Sequence, residues 1–191
     1  MSPPAVEVVG DHDLIRLSAA DPETFGQIFD RHAATIHRYL ARRIGWTLAD
    51  DLTGETFLIA FRNREKYDMS HADSRPWLYG IAANLLRGHQ RAEVRLYRAL
   101  ARTGVDPVYD SSADSDARVA AADDVRALAG VLAKLPAGER DVLTLIAQAQ
   151  LSYPEVARAL DIPVGTVRSR LHSARKRIRS ALPELAGDDD E

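Results

Sequence analysis

The sequence predicts an all-α protein in which two small helical domains are joined by a flexible linker. Helix-forming residues dominate over β-branched ones, and aromatic residues make up only 6% of the chain. Apolar residues recur at three- and four-residue intervals in two separate blocks, which is the pattern of amphipathic helices. No segment alternates apolar and polar residues as a β-strand would, and large apolar residues are scarce between the two blocks.

The first block contains three predicted helices. Asp21 can cap the first helix, whose apolar stripe continues until Gly45 ends it. Thr47 can cap the second helix. Ser74 opens the third helix, which continues into a basic segment at 87–98.

The stretch from Thr103 to Ala122 consists largely of Ala, Asp and Ser, with Gly104 and Pro107 among them. Such a segment buries too little apolar surface to offset its ordering entropy, so we predict a flexible, acidic linker. The predicted organisation is an N-terminal tail (1–20), a first domain (21–98), the linker (99–123), a second domain (124–182) and an acidic, disordered tail (183–191).

The second block carries the pattern of a helix-turn-helix. Ser152 and Glu155 form an S-x-x-E capping box for a short helix over 153–160. Asp161 suits a turn position in the left-handed conformation, and Pro163 suits the first position of the next helix.

The last predicted helix has one apolar stripe and a polar, cationic remainder. At 100° per residue, the core-facing stripe consists of Val167, Leu171, Ala174 and Ile178. A helix that enters the DNA major groove needs short polar groups toward the bases and cations on both flanks. The candidate DNA-binding residues are Arg168, Ser169, Arg170, His172, Arg175, Lys176 and Arg179. A basic helix alone is more often a solvated face, but the capped helix and turn before it favour DNA binding.

Composition excludes several other classes of function. The chain has no cysteine, which excludes disulfides, thiolate metal sites and cysteine nucleophiles and indicates a reducing cytoplasm. No apolar run approaches the roughly 20 residues that span a bilayer, and the six histidines lack metal-ligand spacing. We therefore expect no membrane insertion, cofactor, metal or catalytic residue. The net charge of −3 does not exclude DNA binding, because 164–182 holds six Arg or Lys and no acid.

Two motif blocks resemble the extracytoplasmic-function sigma factors of bacterial RNA polymerase. ADDLTGETFLIAF (49–61) and SRPWLYGIAANLLRGHQR (74–91) are similar to region two of that family. LPAGERDVLTL (135–145) and LSYPEVARALDIPVGTVRSRLHSARKRIR (151–179) are similar to its region four. Two blocks in the right order are more specific than either alone.

This resemblance implies a DNA-binding polymerase subunit rather than an enzyme. Its partners would be core RNA polymerase, through the largest-subunit clamp helices and the flap, promoter DNA and an anti-sigma factor. The residues implied to bind the clamp helices are Asp50, Asp51, Leu52, Glu55 and Phe57. Those implied to capture the −10 promoter element are Lys66, Tyr67, His71, Asn84 and Arg87. Region four would read the −35 element, chiefly through Arg168, Ser169 and His172.

Some of these residues also have purely structural interpretations. Leu52 and Phe57 fit a hydrophobic core as well as a polymerase contact, and Asp50 and Asp51 fit the dipole at the start of a helix. Asn84 fits a core amide, and the spacing of Trp77 favours core packing over base stacking. An ordinary helix-turn-helix repressor explains only the second block.

Overall fold

The structure, a computed structural model, describes residues 9–104 and 115–182, and in the second range it describes side chains from 122 onward. Over these ranges it contains nine α-helices and two short 3-10 helices and no β-strand, so the all-α prediction is confirmed. The α-helices are α1 (Asp11–Leu17), α2 (Gly26–Ile44), α3 (Trp46–Arg62), α4 (Arg75–Gly88), α5 (Gln90–Thr103), α6 (Ser115–Leu132), α7 (Ala137–Ala147), α8 (Tyr153–Leu160) and α9 (Val164–Ala181).

The boundaries of the first helices follow the local signals, with one correction. The Asp21 side chain accepts a hydrogen bond from the Glu23 backbone N–H and caps a 3-10 turn that leads into α2. Gly45, with φ of +85°, ends α2 as predicted. The prediction that Thr47 caps the next helix is wrong, because α3 already begins at Trp46. Because glycine tolerates a positive φ, Gly45 alone connects α2 to α3, and no loop separates the two helices.

The segment predicted as an N-terminal tail contains α1, which belongs to the folded core. Leu14 and Ile15 are buried against the first block. Asp11 fixes the helix in place, because its Oδ2 accepts hydrogen bonds from His32 Nε2 at 2.7 Å and Ser74 Oγ at 2.7 Å. The backbone N–H of Ser74 donates to the same oxygen, so Asp11 caps α4 from a distant part of the chain. A seven-residue helix is too short to give a periodic sequence signal.

The helices also extend into the predicted linker at 99–123. α5 continues to Thr103 and α6 begins at Ser115, so both ends of that segment are helical. The scarcity of large apolar residues suggested a linker, but alanine supports a helix without them. The remaining linker residues, 105–114, and the predicted acidic tail, 183–191, lie outside the described part of the chain.

The two blocks pack directly against each other. The main hydrophobic core includes residues of α1 to α4 and of α7 to α9, and α4 lies on α8. A Cβ added at Gly80 of α4 would lie 2.5 Å from the carbonyl oxygen of Ala159 in α8, so these helices meet at backbone contact. A smaller cluster joins α5 to α6 through Tyr97, Leu100 and Ala129.

Candidate nucleic-acid interface

The predicted helix-turn-helix is formed by α8, a turn and α9. The Ser152 backbone N–H and hydroxyl both lie within hydrogen-bond distance of Glu155 Oε2, at 2.7 and 2.6 Å, which confirms the capping box. The hydrogen bonds from Ser152 lower the pKa of the Glu155 carboxyl. Asp161 is left-handed, with φ 52° and ψ 52°, as the turn requires. Pro163 is the N-cap of α9, one position earlier than predicted.

α9 presents one face to the core and the opposite face to solvent. Val167, Leu171 and Ala174 are buried as predicted, and Ile178 is partly buried near the end of the helix. Six of the candidate side chains are exposed, namely those of Arg168, Ser169, His172, Arg175, Lys176 and Arg179. The apolar stripe therefore fixes the rotation of the helix so that these six candidates share the solvent side.

Two further cations of α9 contact residues of α7. Arg170 is partly buried beside Gly138, where an added Cβ would lie 3.0 Å from its guanidinium. Arg177 Nε donates to Glu139 Oε2 at 3.1 Å. Among the residues that the structure describes, no carboxylate lies within 4 Å of the Arg168 or Lys176 side-chain nitrogens. Arg168 and Lys176 are therefore available to contact DNA.

A second polar surface lies on the exposed side of α4. Asn84 and Arg87 are both exposed, and Arg87 Nη1 donates to Asn84 Oδ1 at 2.7 Å. The interpretation of Asn84 as a core amide is therefore wrong. The contact leaves the two amide N–H donors of Asn84 directed to solvent, and it orients the guanidinium beside them.

The loop before α4 separates its predicted site residues into two environments. Lys66 is exposed and His71 partly so, but Tyr67 lies in the core rather than on the surface. The Tyr67 hydroxyl donates to the His71 carbonyl at 2.7 Å, and its ring centroid lies 5.1 Å from that of Trp77. Burial raises the pKa of Tyr67 to about 12. In this structure Tyr67 holds the loop, and Trp77 packs on the core, as its spacing predicted.

The exposed face of α3 is acidic. Asp50, Asp51 and Glu55 point to solvent, whereas Leu52 and Phe57 are buried, so the core interpretation of the last two is correct for this structure. An acidic surface of this kind suits a basic protein partner.

Sequence reasoning missed an apolar groove beside this acidic face. The groove lies between α2 and α3 and is lined by Phe29, Ala33, Trp46 and Gly54, among others. Phe29 is 44% exposed and Trp46 47% exposed, and the Trp46 ring lies 5.1 Å from that of His37. A tryptophan directly after a helix-ending glycine was the available signal, because such a junction lies at a surface.

No helix within residues 9–104 and 115–182 combines the length and the apolarity needed to cross a bilayer.

Comparison with known families identifies both blocks. The profile for Sigma-70 region 2 matches residues 28–102, and the profile for Sigma-70, region 4 matches residues 126–178. The chain is 31% identical over 169 residues to the ECF RNA polymerase sigma factor SigL of Mycobacterium tuberculosis, covering 88% of this chain and 94% of SigL. It is 30% identical over 186 residues to the ECF RNA polymerase sigma factor SigW of Bacillus subtilis, and the match covers 89% of this chain and 95% of SigW.

Solved structures agree with this assignment. CnrH in complex with the cytosolic domain of CnrY is similar with a TM-score of 0.64 and 26% identity, covering 91% of this chain and 97% of CnrH. The sigma factor RpoE from Bartonella quintana, at 20% identity and a TM-score of 0.60, shares the fold over 85% of this chain and 98% of its own. These structures share the fold of this chain. The two matched regions and the relatives at about 30% identity show that the chain belongs to the ECF sigma factors of the sigma-70 family.

Proposed function

We propose that this chain binds core RNA polymerase and directs it to promoters by reading the −35 element with α9 and the −10 element with the exposed side of α4. The observation that carries the proposal is the presence, in one chain, of both sigma regions, each with an exposed polar and cationic surface at the expected helix. A repressor of the helix-turn-helix class would account for α8 and α9 alone.

At the −35 element, α9 enters the major groove with its exposed side toward the base edges. Arg168 pairs with a guanine, for which a bidentate guanidinium contact is the most frequent specific interaction. Ser169 and His172 contact neighbouring base edges. The phosphate contacts come from the exposed flanking cations, which are Arg175, Lys176 and Arg179, whereas Arg170 packs beside Gly138.

At the −10 element, the exposed side of α4 holds one strand of the opened duplex. Opening costs about 1.4 kcal/mol per base-pair step in lost stacking, so contacts to the separated strand must offset it. Asn84 offers two amide donors to a base edge, Arg87 lies beside it, and Lys66 offers a charge to the backbone. Tyr67 and His71 act by holding the loop that precedes α4.

Core polymerase docks on the acidic face of α3 and the adjoining groove. Asp50, Asp51 and Glu55 supply the charge that attracts a basic surface, and Phe29 supplies exposed apolar area next to it. Leu52 and Phe57 contribute indirectly, because their buried side chains anchor α3 in the hydrophobic core. The protein acts in the cytoplasm as a binding subunit and carries out no chemical step of its own.

An anti-sigma factor controls access to these surfaces. The relationship to the ECF family supports this part of the proposal, and CnrH, at 26% identity, was solved with the cytosolic domain of CnrY bound.

Transcription reconstituted from purified components tests the proposal. Promoters would first be located by mapping transcript starts after overexpression of the chain. Core polymerase with the protein should then give run-off transcripts from those promoters, and core polymerase alone should not. Tight, specific binding of a DNA site by the protein alone, with no initiation when polymerase is added, would establish a repressor instead.

The role of Asn84 needs its own comparison. Asn84→Ala should reduce promoter opening, measured by permanganate reactivity of unpaired thymines, while leaving core binding unchanged. Gln90→Ala, a change of similar size at an exposed position just after α4, serves as the control. Loss of core binding in Asn84→Ala would assign Asn84 a structural role.

A further inference from the structure

Four charged side chains are buried where the two sigma regions meet. Arg43 of α2 donates through Nε to Glu93 of α5 and through Nη2 to Asp141 of α7, the latter at 2.7 Å. Arg140 of α7 approaches Glu93 from the other side, with 3.4 Å between Nη1 and Oε2. Side-chain exposure is 1% for Arg43 and Glu93, 3% for Arg140 and 6% for Asp141. The cluster thus contains two cations and two anions, with one of each from either region.

A buried cluster of this kind contributes little to the stability of the closed state when all four charges are present, but it strongly disfavours that state when one charge is removed. The loss of hydration of two buried ions roughly cancels their attraction, so an intact cluster adds little to the free energy of association. Removal of one partner is costly, because it leaves a charge without its counterion in a site that excludes water. When the regions separate, Arg43 keeps Glu93 within the first region and water can reach the charges that face the interface, and therefore separation is cheaper here than at an apolar interface of equal area.

A steric contact supports the same interface at another point. Gly80 in α4 lies against the backbone of Ala159 in α8, and a Cβ at position 80 would lie 2.5 Å from the Ala159 carbonyl oxygen. That oxygen belongs to a helix backbone, so it cannot move aside as a flexible side chain would. The close approach of α4 and α8 requires glycine at position 80.

The closed arrangement is incompatible with simultaneous recognition of both promoter elements. A compact chain of 191 residues has a radius of gyration of about 16 Å and hence a diameter of about 42 Å. Elements centred about 25 base pairs apart are separated by about 85 Å along B-form DNA, at about 3.4 Å per base pair. The two regions must therefore separate before α4 and α9 reach their elements together.

We propose that the Arg43–Glu93–Arg140–Asp141 cluster and the Gly80–Ala159 contact form an interdomain latch, which keeps the free protein closed and is released when core polymerase holds the two regions apart. The inference rests on the proposed function for its consequence, but the latch itself is a property of the isolated chain. Because binding-competent molecules are then a minority, the apparent affinity for core polymerase is lowered by the open fraction.

Two variants open the latch by different means, and each has a matched control. Asp141→Asn removes the charge that the second region contributes to Arg43, while Arg43 keeps Glu93 and Tyr39 within the first region. Its control is Glu139→Gln on the same helix, which weakens a pair with Arg177 inside the second region.

Gly80→Ala blocks the approach of α8 without altering charge. Its control is Gly88→Ala in the same helix, where an added Cβ meets no atom within 4 Å. Alanine favours the helix at both positions, so neither change should unfold α4.

The natural absence of cysteine allows site-specific labelling. Spin labels are attached at exposed positions in the first and second regions through Gln27→Cys and Ser180→Cys. Double electron–electron resonance then measures the distance between the two labels. Core binding is measured separately with unlabelled chains. We expect Asp141→Asn and Gly80→Ala to raise the open-to-closed ratio at least about tenfold and to tighten core binding correspondingly, whereas both controls match the parent.

Unchanged distances in both opening variants would overturn the latch, as would a parent protein that is already mostly open. Longer distances without tighter core binding would show that the contact does not regulate polymerase. If no chain binds core polymerase, the proposed function fails, and the distances still decide whether these contacts hold the regions together.

Discussion

The arginines of α9 and those of the buried cluster differ in environment although they are the same residue type. Arg168, Arg175 and Arg179 point to solvent on a helix that has no acid. Arg43 and Arg140 are almost fully buried; Arg43 lies between two carboxylates, and Arg140 Nη1 lies 3.4 Å from Glu93 Oε2. The first set is free to exchange water for phosphate, whereas the second set is already neutralised inside the protein.

The difference shows that charge along the sequence does not reveal the use of a cation. The cationic run in α9 is visible locally because its members are neighbours on one helix. The partners of Arg43 lie 50 and 98 residues away, so only the fold brings them together. Substitutions in the two sets should therefore affect different measurements.

Arg43→Met is expected to have the largest effect, and it acts on folding stability. Loss of the guanidinium leaves Glu93 and Asp141 with Arg140 as the remaining cation, in a site where hydration is excluded. We expect a decrease of about 3–5 kcal/mol in the free energy of unfolding, measured by urea denaturation.

Arg38→Met is the matched control, because Arg38 lies on the exposed side of the same helix. Its stability should change by no more than about 0.5 kcal/mol. Equal effects at positions 38 and 43 would contradict the distinction between buried and exposed arginines.

Asp11→Ala extends the comparison to acids. The variant leaves His32 and the Ser74 hydroxyl and N–H without their acceptor, and we expect a loss of about 2–3 kcal/mol. Burial opposes ionisation of Asp11, but hydrogen bonds from His32 and Ser74 outweigh it and hold its pKa below the ordinary value of 3.8. The matched control is Asp13→Ala on the same helix, whose side chain is 37% exposed against 10% for Asp11, and it should give a smaller loss.

The same carboxyl predicts a direction for acid sensitivity. Because the pKa of Asp11 is lower in the folded state, the unfolded state binds more protons as the pH falls through about 4. The stability contributed by Asp11 is therefore complete above that pH and decreases below it. Denaturation midpoints from pH 6 to pH 3 should fall less steeply in Asp11→Asn than in the parent; equal slopes would contradict this account.

Features that depend on residues close together in the sequence were predictable, and features that depend on distant residues were not. The capping box of Ser152 and Glu155 and the left-handed Asp161 were predictable, since each depends on residues a few positions away. The exposed face of α9 followed from periodicity along one helix. α1 and the Arg43 cluster were not predicted, because their partners lie far along the chain. The burial of Tyr67 was not predicted either, because a residue in a loop belongs to no periodic apolar pattern.

Arg168→Ala tests the exposed set by its effect on sequence preference. Loss of a bidentate base contact should cost about 1–3 kcal/mol at the −35 element and relax the preference there, with polymerase present. Arg158→Ala, an exposed arginine on α8, is the control and should leave the base preference intact. Unaltered preference and affinity in Arg168→Ala would remove that residue from the recognition site.

Lys176→Ala should have the smallest effect and a different signature. A lysine that contacts only phosphate carries no sequence information, so the variant should weaken binding to all promoters alike. The slope of log K against log salt concentration should decrease by about 1, because one fewer counterion is released. Binding titrations of the polymerase complex at several salt concentrations measure this slope. Arg43→Met should leave the slope unchanged, since Arg43 lies on neither proposed DNA surface and keeps its pair with Glu93 within the first region when the two regions separate. A change of slope in Arg43→Met and none in Lys176→Ala would reverse the assignment of the two sets of cations.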